Sequence, residues 1–141
     1  MNVCRADYIK ELKEKDWDLV INCSVLEHLR SREDIYDIFN LVNKRGILAI
    51  HTLICEEVPR DSHWYYIEFP VHCTLWTNKA MEILYNQFGY AGCAYYLPAR
   101  MWFFFKDKEK YNKLKEIYSF IEGTWNLSET FVDYWKQKPY R

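Results

Sequence analysis

Apolar residues form two short runs on either side of an amphipathic segment. Residues 18–22 and 47–53 are almost continuously apolar, as is typical of parallel strands buried on both faces under helices. Between them, apolar residues recur at helical spacing over 32–44, with Ser31 as N-cap and Gly46 as the stop signal. The pattern predicts a strand–helix–strand unit with a right-handed crossover.

The rest of the chain predicts a mixed set of elements around this unit. A short strand over 2–6 precedes it, and a long aromatic loop over 54–75 follows. The remaining predicted elements are a helix over 78–88 capped by Thr77 and ended by Gly89, an antiparallel hairpin of strands 91–97 and 101–106, and helices over 107–122 and 127–137. This order predicts the α/β class.

Length and composition bound the class of protein. The 141 residues suffice for one domain with a sizeable core. The formal net charge of −1 argues against nucleic acid or an anionic membrane as a partner. The five cysteines include no C-x-x-C pair, and their odd count argues against a disulfide framework. With no signal-peptide pattern and no apolar run of transmembrane length, we expect a cytoplasmic protein with reduced thiols.

Four sequence blocks, in order, resemble one enzyme family. The first is an aromatic–Asp pair opening a strand that leads to Leu-Glu-His-Leu. The blocks lie at 16–29, 41–48, 71–77 and 88–90. They resemble the C-terminal half of class I S-adenosylmethionine-dependent methyltransferases. This resemblance implies a partial Rossmann-like sheet, strands three to seven of the family, with an antiparallel C-terminal hairpin. It assigns 1–106 to that partial domain and 107–141 to a helical extension packed on it.

The family's glycine-rich cofactor loop has no counterpart in these residues. None of the four glycines forms a G-x-G arrangement, so no segment lets backbone amides approach the cofactor as that loop does. The resemblance therefore implies a truncated or split methyltransferase. Whether the isolated chain is an enzyme is left open.

The resemblance also implies where S-adenosylmethionine would lie. Asp7 and Tyr8 follow the family's third strand, and Asn22, Cys23 and Ser24 end its fourth. In open α/β sheets, ligands bind beyond the carboxyl ends of the strands. The alternative for Cys23 is simple packing beneath the next helix.

Three residues carry the catalytic and metal hypotheses. An imidazole at His28, next to Glu27, would orient or deprotonate a substrate hydroxyl. Alternatively, Glu27 caps a helix or pairs with an arginine while His28 supports the loop. The ubiquinone-pathway and small-RNA O-methyltransferases carry a Glu-x-x-Glu-His metal motif at this position. In the present sequence Ser24 stands in place of the first Glu of that motif. The RNA enzymes add a histidine that His72 matches. The resemblance thus makes Glu27, His28 and His72 both catalytic candidates and candidate ligands of a divalent metal. The alternative is a hydrogen-bonded His28–His72 neighbourhood that binds no metal.

Aromatic and basic residues elsewhere have two interpretations each. Trp64, Tyr65, Tyr66 and Phe69 form either a lid over an acceptor pocket or a plug against the helix over 78–88. The lysines of the terminal helices form either a solvated cap, which we favour, or a binding stripe; they are Lys106, Lys108, Lys110 and Lys113. His51 and His63 show no partner spacing and are interpreted as structural residues.

Two functions follow from these observations. The first is methyl transfer to an oxygen or nitrogen of a small molecule. The second is a non-catalytic, methyltransferase-like interaction module, in which an open sheet edge recruits a second copy or an N-terminal partner.

Overall fold

Both helices and strands occur along the computed structural model, which describes residues 11–12, 16–68, 71–118 and 124–133. The strands are β1 (Trp17–Cys23), β2 (Val42–His51), β3 (Ile54–Cys55), β4 (Trp76–Thr77), β5 (Gly92–Tyr96), β6 (Met101–Phe105) and β7 (Trp125–Ser128). The helices are α1 (Arg32–Asn40), α2 (Tyr65–Glu68), α3 (Asn78–Gln87) and α4 (Lys108–Tyr118), and a 3₁₀ turn covers Leu26–His28. None of these helices is both long and apolar enough to cross a membrane.

A five-stranded mixed sheet organises the α/β fold. Its order is β1-β2-β6-β5-β7. β1 and β2 are parallel, whereas β6 runs antiparallel to both β2 and β5, and β7 runs antiparallel to β5. A separate two-stranded parallel sheet joins β3 to β4. The long segment between β2 and α3 is therefore tied down near both of its ends.

The two faces of the main sheet are covered unequally. On one face Leu48, Ile50 and Phe104 are fully buried in a cluster that includes Phe39 of α1 and Met81 of α3. Because successive strand residues alternate between faces, their neighbours point to the opposite side. There, Tyr111 of α4 packs on Ala94 and Phe105. The helix lies over β5 and β6, and part of the face at β1 stays open.

Several predicted features are confirmed. The Ser31 hydroxyl accepts a hydrogen bond from the Asp34 amide at 3.1 Å, and the Thr77 hydroxyl accepts one from the Ala80 amide at 3.2 Å. Each bond satisfies an otherwise unpaired amide in the first helical turn. Gly89 follows α3 with a φ of +64°. The parallel β1–β2 pair, the β5–β6 hairpin and α4 lie where the pattern places them.

The prediction that the first helix continues to residue 44 and stops at Gly46 is wrong. The helix ends at Asn40, and Gly46 lies inside β2. The strand pairs Val42 with Trp17 and then shifts register, so that Ile47 pairs with Leu19. A Cβ at Gly46 would lie 2.6 Å from Val42 Cγ1 and 2.8 Å from the Trp17 carbonyl oxygen. The glycine therefore permits close backbone packing at this irregularity.

The prediction that β1 is buried on both faces is also wrong for the described part of the chain. Leu19 is 50% exposed and Ile21 is 63% exposed. Both side chains point to the face of the sheet that α4 covers at β5 and β6 but not at β1. An apolar run alone does not distinguish a covered strand from one whose second face is open.

The predicted helix over 127–137 is wrong in its described portion. Residues 125–128 form β7, which pairs with β5. The Trp125 ring lies 4.5 Å from that of Tyr96 and 5.4 Å from that of Phe103, centroid to centroid. These long-range aromatic contacts favour the strand. The predicted strand over 2–6 lies outside the described residues, as does Gly123.

The substitution Gly92→Ala tests the docking of α4 on the sheet. A Cβ at Gly92 would lie 2.3 Å from Tyr111 Cγ. We expect the overpacking to lower the free energy of unfolding by about 1–3 kcal/mol in urea denaturation. Gly89→Ala is the control, because its Cβ meets no atom within 4 Å and its cost, about 1 kcal/mol, comes from backbone strain. Wild-type stability in Gly92→Ala would contradict the packing described here.

Candidate metal centre

The site is built where the two parallel strands end. β1 finishes at Cys23 and β2 at His51, and these residues are register partners. Directly after β1 the chain turns sharply at Ser24, whose φ is +51°, and the Ser24 amide donates to the His51 carbonyl at 2.8 Å. The following 3₁₀ turn carries Glu27 and His28. Their side chains therefore lie at the edge of the sheet where α/β proteins bind ligands.

A distant segment is fixed against this turn by its backbone. The amides of Cys73 and Thr74 both donate to the Glu27 carbonyl, at 2.9 and 3.1 Å. The Thr74 hydroxyl donates to the Leu29 carbonyl at 2.6 Å. These bonds place the His72 ring beside that of His28, with 5.0 Å between the ring centroids.

Glu27, His28 and His72 converge, although more than forty residues separate the first two from the third. One ligand atom from each side chain lies within 4.8 Å of the corresponding atoms of the other two. Two nitrogen ligands of a tetrahedral zinc ion, each about 2.0–2.1 Å from the metal, are about 3.3–3.4 Å apart. The three side chains would therefore have to move closer together to bind one ion. A carboxylate with two imidazoles suits zinc, manganese or iron better than magnesium.

Hydrogen bonds to backbone carbonyls fix the tautomer of the two imidazoles. His28 Nδ1 lies 2.9 Å from the Val71 carbonyl oxygen, and His72 Nδ1 lies 2.9 Å from that of Tyr66. A carbonyl oxygen only accepts, so each Nδ1 carries the hydrogen and each Nε2 carries the lone pair of the neutral ring. Metal-ligating histidines are oriented by bonds of this kind.

The Glu27 carboxylate is buried and has no countercharge among the residues that the structure describes. Only 4% of Glu27 is exposed, and the Thr52 hydroxyl donates to its Oε2 at 2.8 Å. Within the described ranges it forms no ion pair. The alternative in which it pairs with a neighbouring arginine is thus not what the structure has. A buried carboxylate is costly unless it is paired, and a divalent cation would supply the missing positive charge.

Tyr66 closes one side of the cluster. Its ring stacks at 4.2 Å from the His72 ring, and burial raises the pKa of its phenol. The hydroxyl interacts electrostatically with Thr52 and Glu27, yet within the described chain it makes no hydrogen bond of standard geometry. The neighbouring Tyr65 side chain is exposed. The aromatic segment therefore covers the His72 ring with one side chain and presents another to solvent; Phe69 lies outside the described residues.

The predicted cofactor residues lie at the same edge as far as they are described. Asn22 is buried, and its Oδ1 has no hydrogen-bond partner in the described part of the chain. Cys23 and Ser24 are exposed, so Cys23 does not pack beneath the next helix. Asp7 and Tyr8 lie outside the described residues.

His51 is the residue that sequence reasoning missed. From the sequence alone, His51 is interpreted as structural. In the fold it lies at the end of β2, with its Nδ1 3.8 Å from Cys23 Sγ and 3.3 Å from Ser24 Oγ. Only its position at the end of an apolar run, opposite the end of another, signals this placement. His63 is exposed and away from the cluster.

The lysines of the terminal segment are bound to neighbours in the fold. Lys108 and Lys113 form ion pairs with Glu129 and Glu109, at 2.6 and 2.8 Å. Lys106 lies over the Tyr90 ring, 4.4 Å from its centroid, and burial lowers its pKa. The ion pairs of Lys108 and Lys113 agree with a solvated structural surface, whereas Lys106 is partly buried.

No protein family model matches the sequence, and no curated protein matches it. The chemistry of the site is therefore inferred from its geometry. This geometry consists of the three converging donor side chains and the groups that hydrogen-bond to them.

We expect the chain to bind Zn²⁺ or Mn²⁺ at this site with one-to-one stoichiometry. Binding should raise the midpoint of thermal unfolding, because a ligand of the folded state stabilises it. Glu27→Gln, His28→Ala and His72→Ala should each weaken binding at least about tenfold in calorimetric titration. Binding should also weaken as the pH falls, since protons compete for the imidazoles.

His63→Ala is the matched control for these variants, because it removes an exposed histidine outside the cluster. It should bind metal as the wild type does. Equal metal affinity in the wild type and in His72→Ala would show that the converging donors are not the site.

Proposed function

We propose that this chain forms the acceptor side of an S-adenosylmethionine-dependent methyltransferase, which transfers a methyl group to an oxygen or nitrogen of a small molecule. In this proposal Glu27, His28 and His72 hold a divalent metal. The observation that carries it is their convergence at the carboxyl edge of β1 and β2, beside the predicted cofactor residues.

The sheet topology supports the proposal. Parallel strands β1 and β2 are followed by an antiparallel hairpin, whose second strand, β6, inserts between β2 and β5. The second half of the methyltransferase sheet likewise ends in two strands that include the antiparallel one. We therefore include in the proposal that this sheet is part of a Rossmann-like methyltransferase sheet.

The residues at the end of β1 are suited to hold the adenosyl group. The buried Asn22 Oδ1 lacks a partner within the described chain, and an unsatisfied buried acceptor favours a ligand that donates to it. S-adenosylmethionine supplies a methyl group on a positively charged sulfur. The protein's contribution to such a transfer is mainly proximity and orientation.

The cluster residues would prepare the acceptor. A metal bound there would hold an acceptor hydroxyl and lower its pKa. Thr52 orients the Glu27 carboxylate, and the carbonyls of Val71 and Tyr66 orient the two imidazoles. The Tyr66 ring shields His72 from water on one side. With no metal bound, a histidine of the cluster is the candidate general base for the acceptor's proton.

We expect the 141-residue chain to bind S-adenosylmethionine weakly, with a dissociation constant well above the low micromolar range, because it contains no glycine-rich loop. Millimolar S-adenosylhomocysteine should still shift the amide NMR signals of residues 22–24. Asn22→Ala should reduce those shifts, whereas Asn126→Ala on β7 should not. Low-micromolar affinity in calorimetry would contradict the first expectation. Shifts confined to other parts of the chain would contradict the proposed function.

A second candidate function is a non-catalytic interaction module. The observation that favours it is the open apolar surface of β1, where Leu19 and Ile21 are at least half exposed. Exposed apolar side chains on a strand favour association with another chain. A second copy of this protein is the simplest occupant of that surface.

We expect Leu19→Lys/Ile21→Lys to shift the protein toward monomer in multi-angle light scattering, because charge at the apolar surface opposes association. Ile117→Lys is the control, since Ile117 is a similarly exposed apolar residue (62%) that lies on α4 and not on β1. A wild-type protein that stays monomeric at high concentration would contradict the association hypothesis.

A further inference from the structure

A cysteine and a histidine lie side by side at the ends of β1 and β2, in addition to the metal cluster. Cys23 and His51 are register partners in the parallel pair, so their side chains project from the same face. Cys23 Sγ lies 3.8 Å from His51 Nδ1, and Ser24 Oγ lies 3.3 Å from the same nitrogen. The pair arises from register and not from a sequence motif.

The shared nitrogen is placed to act as a base. Both neighbours of His51 Nδ1, a thiol and a hydroxyl, carry a hydrogen that they can donate. We therefore assign Nδ1 as the acceptor and Nε2 as the protonated nitrogen of the neutral ring. A thiol in contact with an imidazole lone pair is the usual arrangement of an activated cysteine, because the thiolate is the nucleophile.

The other described cysteines lack such a base. Cys73 is also exposed, but its thiol donates to the carbonyls of His28 and Val71, each at 3.5 Å. Cys55 donates to the Trp76 carbonyl at 3.3 Å, and burial raises its pKa. Burial also raises the pKa of the Cys93 thiol. Carbonyl acceptors and burial both hold the proton on sulfur.

We propose that Cys23 is a nucleophilic thiol, with His51 as its base, that is oxidised by hydroperoxides to a sulfenic acid. The thiol proton passes to His51 Nδ1, and the sulfur attacks the outer oxygen of the peroxide. An S–O bond forms as the O–O bond breaks, and the departing oxygen takes up the proton as water or an alcohol. Sulfur loses two electrons and the peroxide gains them. The proposal is independent of methyl transfer and of metal binding.

Peptide-resolved mass spectrometry of the folded, metal-free chain tests the proposal. The chain is treated with limiting hydrogen peroxide in the presence of a cyclic 1,3-dione that traps sulfenic acids. We expect Cys23 to be labelled roughly ten times faster than Cys73, which is exposed but has no base, and Cys93 to stay unlabelled. Cys4, outside the described residues, is read from its own peptide.

The variant His51→Asn separates activation from mere exposure. It should reduce Cys23 labelling to about the Cys73 rate, whereas His63→Asn should leave the ratio unchanged. Labelling of Cys23 within about twofold of Cys73 in the wild-type chain would overturn the proposal, and this comparison does not require any variant to fold. An unchanged Cys23 rate in folded His51→Asn would also overturn it.

Discussion

The backbone amides of Cys73 and Thr74 donate hydrogen bonds to the carbonyl of Glu27. The candidate metal centre depends on this junction between two distant segments of the chain. The residues on its two sides are separated by more than forty positions, and the Thr74 hydroxyl and the His28 ring add side-chain hydrogen bonds between the same two segments. With the junction formed, Val71 and His72 lie beside His28. The same segment then provides an imidazole and also the carbonyl that orients the other imidazole. A small number of main-chain bonds thus positions both imidazoles and one of the carbonyls that orient them.

The parallel pairing of β1 and β2 supplies the other half of the arrangement. Because the strands end together, consecutive residues of β2 and the following turn serve different clusters. His51 contacts Cys23, whereas Thr52 binds the Glu27 carboxylate. One sheet edge therefore holds a candidate metal site and a thiol–imidazole pair without sharing any side chain between them. Each group can be altered by substitution while the other is left intact.

Local signals in the sequence were sufficient for much of the fold. Ser31 and Thr77 start their helices because each side chain satisfies an amide three residues on, which requires no distant contact. Gly46 is placed in the sequence as a helix stop would be. In the structure it instead allows the Trp17 backbone to pack closely against β2, and this contact exists only in the folded sheet. Residues 125–128 likewise form a strand because β5 is available to pair with them. Pairing of this kind cannot be read from local periodicity.

The candidate site was predictable only through a resemblance. That resemblance named Glu27, His28 and His72, but spacing along the chain carries no information on whether distant side chains meet. The role of His51 was missed for the same reason, since its contact with Cys23 comes from strand register. Sequence thus identified the chemical groups, and tertiary structure determined which of them lie together.

Anomalous diffraction from crystals of the chain grown with zinc tests whether the three donors bind one metal ion. We expect one strong peak at the zinc edge, about 2.0–2.2 Å from a Glu27 carboxylate oxygen and from Nε2 of both His28 and His72. A map with no peak between these three side chains, or with its only peak elsewhere on the protein, would contradict that expectation.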